Sequence, residues 1–136
     1  MTEQTLILVK PDGVRRGYIG EILKRIENKG YKVVDLRMLQ ASEDQLREHY
    51  HEHVNKPFFP GLVEYMISGP MVAAIVEGVR VIEGIRSLAG ATDPTSAAPG
   101  TIRGDLGCAL PGDAMENLIH SSDSPESAAF EIGVWF

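Results

Sequence analysis

The run Thr5-Leu6-Ile7-Leu8-Val9 is apolar without a break and stops abruptly at Lys10-Pro11-Asp12-Gly13. Continuous hydrophobicity over so few residues reads as a buried strand. The stop is a turn signature, because proline presets φ and glycine supplies positive φ. Short apolar runs and amphipathic segments then alternate along the chain. Ile19 to Lys29 carries Ile19, Ile22, Leu23 and Ile26 at helical spacing, with Gly30 as a C-cap. Residues 31–39 read as a second strand around Val33 and Val34. Ser42-Glu43-Asp44-Gln45 is a capping box opening a short helix to about Tyr50, and Pro57 to Ile67 predicts another, stopped by Ser68-Gly69-Pro70.

Met71 to Val76 is a third strand, and Val79 to Ala89 places Val79, Ile82, Ile85 and Leu88 on one helical face before Gly90. Residues 91–104, rich in Thr, Pro, Ala and Gly, predict a long loop of the kind that is usually functional or disordered. Leu118 to Ser121 predicts a fourth strand, and Ser124-Pro125 the start of a last helix. With the two short helices set aside as an insert, the order is β-α-β-β-α-β. That is the ferredoxin-like α/β (α+β) pattern, built on a four-stranded antiparallel sheet. No repeat, low-complexity tract or linker interrupts it, so residues 1–136 read as a single domain.

Of the 136 residues, 43% are hydrophobic, so a domain of this length should bury roughly two-thirds of its unfolded surface. The formal net charge is −6 and the basic residues are scattered. That argues against a protein that coats nucleic acid or docks on an anionic membrane, while leaving room for a local basic pocket. One cysteine, Cys108, excludes an intrachain disulfide and fits a reducing compartment, so a cytoplasmic location is expected. The first apolar run is too short for a signal peptide or a membrane span.

The segment Asn117-Leu118-Ile119-His120-Ser121-Ser122-Asp123-Ser124 places a histidine at the end of an apolar run and follows it with hydroxyls and a carboxylate. Neutral imidazole is available as a nucleophile at physiological pH, and the hydroxyls suit an anionic, oxygen-rich group such as a phosphoryl. Glu131, eleven residues on in the last helix, is placed to hydrogen-bond one ring nitrogen and leave the other free to attack; an exposed helix carboxylate is the competing reading. Lys10, at the end of the first strand, either points into a cleft or snorkels. Arg86, Thr92 and Arg103 could complete a polyphosphate clamp with it, or be scattered surface groups. Gly100 and Gly104 frame Arg103 and permit close backbone approach. In Lys56-Pro57-Phe58-Phe59-Pro60, a rim Phe58 could stack on a base while Phe59 packs in the core.

His49, His51 and His53 with Glu52 do not make a metal site, since only His49 and His53 could share a face and no further ligand completes the set. P-loop and dinucleotide fingerprints are absent, as is the G-x-S-x-G of a hydrolase.

These pieces converge. TLILVKPDGVRRGYIGEI, HYHEHVNKPFFPGLVEYMISGP, EGVRVIEGIRSLAGATDP, APGTIRGD and NLIHSSDSPESAAFEIGVWF closely resemble nucleoside diphosphate kinases along nearly the whole chain. The resemblance implies a ping-pong transfer in which a nucleoside triphosphate gives its terminal phosphoryl to His120 and a diphosphate then takes it. It implies Nδ1 of His120 as nucleophile, Glu131 on the other ring nitrogen and Ser122 supporting Glu131. Lys10 and Tyr50 would face the transferred phosphoryl, with Arg86, Thr92 and Arg103 on the polyphosphate. Phe58 would meet the base, and Asn117 the ribose and transferred phosphate. The resemblance further implies Mg²⁺ bound mainly through the nucleotide phosphates. Relatives are generally homo-oligomers, mostly hexamers, with tetramers and dimers known.

This chain departs from the family pattern in places. Ser121 stands where glycine usually follows the histidine, and Leu106 replaces a common aromatic. The segment from Leu106 to Glu116 is longer than usual by roughly four residues, which predicts a protruding loop with a turn at Pro111-Gly112-Asp113. The chain ends at Phe136, where many relatives carry an extension that contacts neighbouring subunits. A catalytically weak relative that only binds nucleotides or partner proteins, and an RNA-binding module, are the competing readings. Intact Lys10, Tyr50, Arg86, Arg103, His120 and Glu131 weigh against the first; acidity and the missing aromatic pattern weigh against the second.

Overall fold

A computed structural model describes residues 2–111 and 116–136. Residues 112–115, which hold most of the turn expected at 111–113 and part of the 106–116 segment, lie outside them. The elements are β1 (Thr2–Val9), α1 (Pro11–Arg15), α2 (Ile19–Asn28), β2 (Lys32–Leu39), α3 (Glu43–His49), α4 (Phe59–Met66), β3 (Met71–Val79), α5 (Val81–Ala89), α6 (Ile102–Leu106), β4 (Ile119–Ser121) and α7 (Pro125–Trp135). The four strands form one antiparallel sheet in the order β2-β3-β1-β4. This is the expected ferredoxin-like architecture, with α3 and α4 as the insert.

The continuous hydrophobicity of β1 from Leu6 to Val9 has a physical cause: there both faces of the sheet are covered. Ile7 and Val9 pack with Val72, Ala74 and Val76 of β3 against Ile22 and Ile26 of α2 and Ile82 and Ile85 of α5. Leu6 and Leu8 point the other way and pack with Met71, Ala73, Leu46, Phe59, Met66 and Trp135. A strand that alternates between two apolar cores needs no polar position. Each fully buried aliphatic side chain contributes about 1.5–3 kcal/mol.

Local chemistry sets the ends of the helices. Ser42 and Gln45 close both bonds of the capping box on α3, and Ser124 accepts from Ser127 N above Pro125 at the start of α7.

Four details differ from the reading of the sequence. Lys10-Pro11-Asp12-Gly13 is not a simple turn but leads into the five-residue α1, with proline in its first turn. Val79 ends β3 and is exposed, and the buried face of α5 is Val81, Ile82, Ile85 and Ala89. The expected long loop ends in α6, nucleated where the Thr101 side chain accepts from Gly104 N. Finally, β4 is three residues long, because Leu118 takes a left-handed conformation (φ +73°) that cannot extend a strand. No helix among the described residues is long and apolar enough to cross a membrane.

Candidate active site

His120 is the central residue of β4 and pairs across the sheet with Leu8 of β1. Alternation along β4 buries Ile119 and Ser121 and turns His120 to the face where α7 passes, its side chain 19% exposed. There the ring Nε2 lies 2.8 Å from Glu131 Oε1, an oxygen that also accepts the Ser122 hydroxyl at 2.6 Å. A carboxylate can only accept, so the neutral ring carries its proton on Nε2 and keeps a lone pair on Nδ1. Burial pushes the His120 pKa below its ordinary value and outweighs the raising effect of Glu131; Lys10 and Arg103 push it the same way. For Glu131 burial acts upward, but the bond and charge from His120 and the bond from Ser122 leave it net below the usual carboxylate range. The pair is therefore imidazole and carboxylate at neutral pH.

The cations come from three elements. Lys10, at the junction of β1 and α1, is buried and donates to Asn117 Oδ1 at 2.8 Å, and Asn117 Nδ2 donates to the Thr92 carbonyl at 2.9 Å. Burial, reinforced by Arg103 and opposed by Asp12, lowers the Lys10 pKa to about 8. Arg103 is spread over three carbonyls, of Asn117 (3.2 Å), Gly90 (3.0 Å) and Ile119 (2.5 Å). That span requires Gly104 beside it, since a Cβ there would run into the Ala98 carbonyl oxygen. Arg86 donates to the Ser121 carbonyl at 3.2 Å.

A cleft of about 740 Å³ brings together Lys10, Tyr50, Phe58, Arg86, Thr92, Arg103, Asn117 and His120. Phe58 is 53% exposed at its rim and Phe59 only 3% in the core. Ser122 is fully buried beneath Glu131, and Glu131 lines a neighbouring cleft instead. Burial and the Glu131 charge raise the Tyr50 phenol, so it stays protonated as a donor. Every residue named from the sequence thus stands at this site or directly behind it. Ser121, which follows His120, borders the cleft too and is buried.

Other residues here escaped the sequence reading. Asp12 is buried, accepts from Tyr65 Oη at 2.5 Å and from Leu118 N at 3.1 Å, and so holds the strained Leu118 turn that aims Asn117. Burial and Asp12 together raise the Tyr65 phenol. In the sequence Asp12 looked only like a turn residue. His49 and Trp135 lie behind His120, the indole donating to His49 Nδ1 at 3.0 Å. His49, His120 and Glu131 each offer a ligand atom within 4.8 Å of the others; each also makes a hydrogen bond, His120 through Nε2 and His49 through Nδ1.

Comparison with known proteins bears on the family and the fold. A family model described as nucleoside diphosphate kinase matches residues 3–136. A nucleoside diphosphate kinase of Nocardia farcinica is 58% identical over 137 residues, spanning 100% of this chain and 96% of the relative. One from Thermobifida fusca is 55% identical over 98% of this chain and 96% of its own length. The structure is similar to that of a halophilic nucleoside diphosphate kinase from Halobacterium salinarum in complex with CDP. Its TM-score is 0.93 at 46% identity, covering 100% of this chain and 88% of that one. It is also similar to a transition state mimic of the Borrelia burgdorferi enzyme with bound vanadate and ADP, with TM-score 0.92 at 38% identity, covering 99% and 87%.

Proposed function

The chain belongs to the nucleoside diphosphate kinase family, and from that we propose that it moves the γ-phosphoryl of a nucleoside triphosphate to a nucleoside diphosphate through a phosphohistidine on His120. The observation that carries the reading is the 2.8 Å contact of His120 Nε2 with Glu131, on a residue that lines a cleft with three cations. In the first half-reaction the Nδ1 lone pair attacks the γ-phosphorus. The bond from phosphorus to the β-phosphate bridging oxygen breaks, and the diphosphate leaves with the electron pair. The ring becomes a phosphorylated imidazolium whose charge Glu131 balances. In the second half a terminal oxygen of another diphosphate attacks the same phosphorus and Nδ1 leaves with its pair. A loose phosphoryl transition state needs positioning and positive charge more than covalent help, and Lys10, Arg86 and Arg103 supply both. Tyr50 donates to the transferred group, Thr92 and Asn117 hold phosphate and ribose, and Ser122 keeps Glu131 in place.

No carboxylate lines the larger cleft among the described residues, so Mg²⁺ would be held there mainly by the nucleotide's own phosphate oxygens. Its chemistry there would be to neutralise phosphate charge. Phe58 offers an aromatic face instead of hydrogen bonds to base edges, which supports broad base tolerance.

The β2 edge carries exposed Val34, Leu36 and Met38 at alternate positions. An unprotected apolar edge of this kind supports self-association, and we read the working form as a homo-oligomer, a hexamer by family likeness. The acidic single domain and its lone reduced cysteine suit a cytoplasmic enzyme.

Brief exposure to γ-labelled ATP without acceptor tests the central claim. The label should be acid-labile and base-stable, and should leave when a purine or pyrimidine diphosphate is added, at rates within about an order of magnitude of each other. His120→Ala should take no label. Labelling retained in that variant places the nucleophile elsewhere.

A further inference from the structure

His49 closes α3 and is 6% exposed, yet it has no part in the transfer described above. Its ring stands edge-on to His120, with centroids 4.6 Å apart and planes at 77°. It also contacts Tyr50 at 4.5 Å and Trp135 at 5.7 Å. Trp135, itself 2% exposed, is the residue whose Nε1–H donates to His49 Nδ1. Indole nitrogen can only donate, so His49 Nδ1 carries no proton and the neutral ring has its hydrogen on Nε2. The buried side of the nucleophile is therefore a second imidazole of fixed tautomer.

Resting on the reading of His120 as nucleophile, we propose that His49 is a positioning residue: held as its Nε2–H tautomer by the Trp135 indole, it sets the orientation of the His120 ring and leaves Glu131 to His120 alone.

The charged groups around His49 show why this matters. Lys10 and His51 approach it from the β1 end and from the turn after α3, His120 from β4, and Glu131 and Trp135 from α7. Burial lowers the His49 pKa to about 3; His120, Lys10 and His51 push the same way and only Glu131 opposes. A proton on Nδ1 would face the indole N–H head-on. Were it to bind, the new cation would compete for the Glu131 carboxylate and withdraw electron density from the attacking ring. A phosphorylated His120 is itself cationic, and the neutral neighbour adds no repulsion to that state.

Two measurements test the proposal. In the unmodified protein, ¹⁵N NMR should show His49 with a bare Nδ1 and protonated Nε2 from pH 5.5 to 8. Titration of His49 inside that window overturns the proposal, whatever the variants do. The second is the pH profile of His120 labelling. Trp135→Phe removes the donor and leaves space that water can enter, so His49 becomes protonatable. That variant should label more slowly at every pH, and its acid limb should move up by about one pH unit, roughly a tenfold deeper loss on that limb. Adding His49→Gln to Trp135→Phe should return the limb to its original position without restoring the rate. A packing role alone would give both variants the same limb, and that result overturns the proposal. Absence of any label in the unmodified protein would instead sink the phosphohistidine reading and leave the NMR result standing.

Discussion

His120 stands between two clefts of opposite sign. The larger, about 740 Å³, is lined by Lys10, Arg86 and Arg103 and by no carboxylate among the described residues. The smaller, about 480 Å³, is lined by Glu52, Asp123, Glu126 and Glu131, with Arg86 as its cation. Both are bordered by Tyr50, His53, Arg86, His120 and Ser121. An acidic protein can thus still bind polyphosphate, because its positive charge is concentrated on one side of a single ring. On the proposed reading, the acidic side repels phosphate and orients the ring, and the basic side receives the substrate. Net charge describes neither.

The sharpest way to break this asymmetry is to remove its innermost cation. Lys10→Met should lower kcat by about 10²–10³-fold, the range found for a lost transition-state donor, without unfolding the chain. Circular dichroism alongside steady-state kinetics checks both halves of that statement. The same lysine sets a pH signature. Its pKa is lowered to about 8, so it is charged below that value and loses its proton as pH rises through it. The kcat/KM profile of the free enzyme should therefore fall above about pH 8, whereas kcat, measured with phosphates bound, should fall later. An alkaline limb identical in the Lys10→Met variant would assign the loss to another group.

A smaller effect belongs to the rim of the basic cleft. Phe58→Ala should raise nucleotide KM about tenfold, equally for purines and pyrimidines, because stacking is worth about 1–3 kcal/mol and does not read the base. Its neighbour provides the contrast. Phe59→Ala should cost about 3–5 kcal/mol of stability by leaving a cavity, visible as a lower midpoint in urea. A large stability loss in Phe58→Ala would mean that its exposure misrepresents its role.

The smallest expected change lies on the acidic side. Glu126 is exposed in the first turn of α7, so Glu126→Lys should leave the fold intact. A cation placed there offers phosphate a competing site and should raise KM about twofold at low ionic strength, an effect erased by salt. A lowered KM would show that the acidic cleft also receives substrate.

Much of this architecture was legible before any coordinates. Strands and helices follow from local hydrophobic period and from caps such as Ser42 with Gln45 and Ser124 with Pro125, whose partners lie within a few residues. The misreadings came where local signals were ambiguous. Val79 fits a helical face in the sequence, yet it ends β3 because pairing with Thr2 of β1 outweighs its spacing. Leu118 has every local mark of a strand residue, but Asp12 holds its N–H in a left-handed turn.

The amino-acid order alone determined the four strands and the longer helices, since these follow from short-range periodicity and caps; the candidate site residues came from side-chain chemistry together with the family resemblance. Tertiary structure decided the electrical environment of those residues. Burial lowers Lys10, Asp12 and Tyr65 brace the turn beneath Asn117 from 53 positions apart, and Trp135 fixes the tautomer of His49 across 86 positions. Desolvation and long-range hydrogen bonds exist only once the chain has closed on itself, so no reading of neighbours along the sequence contains them.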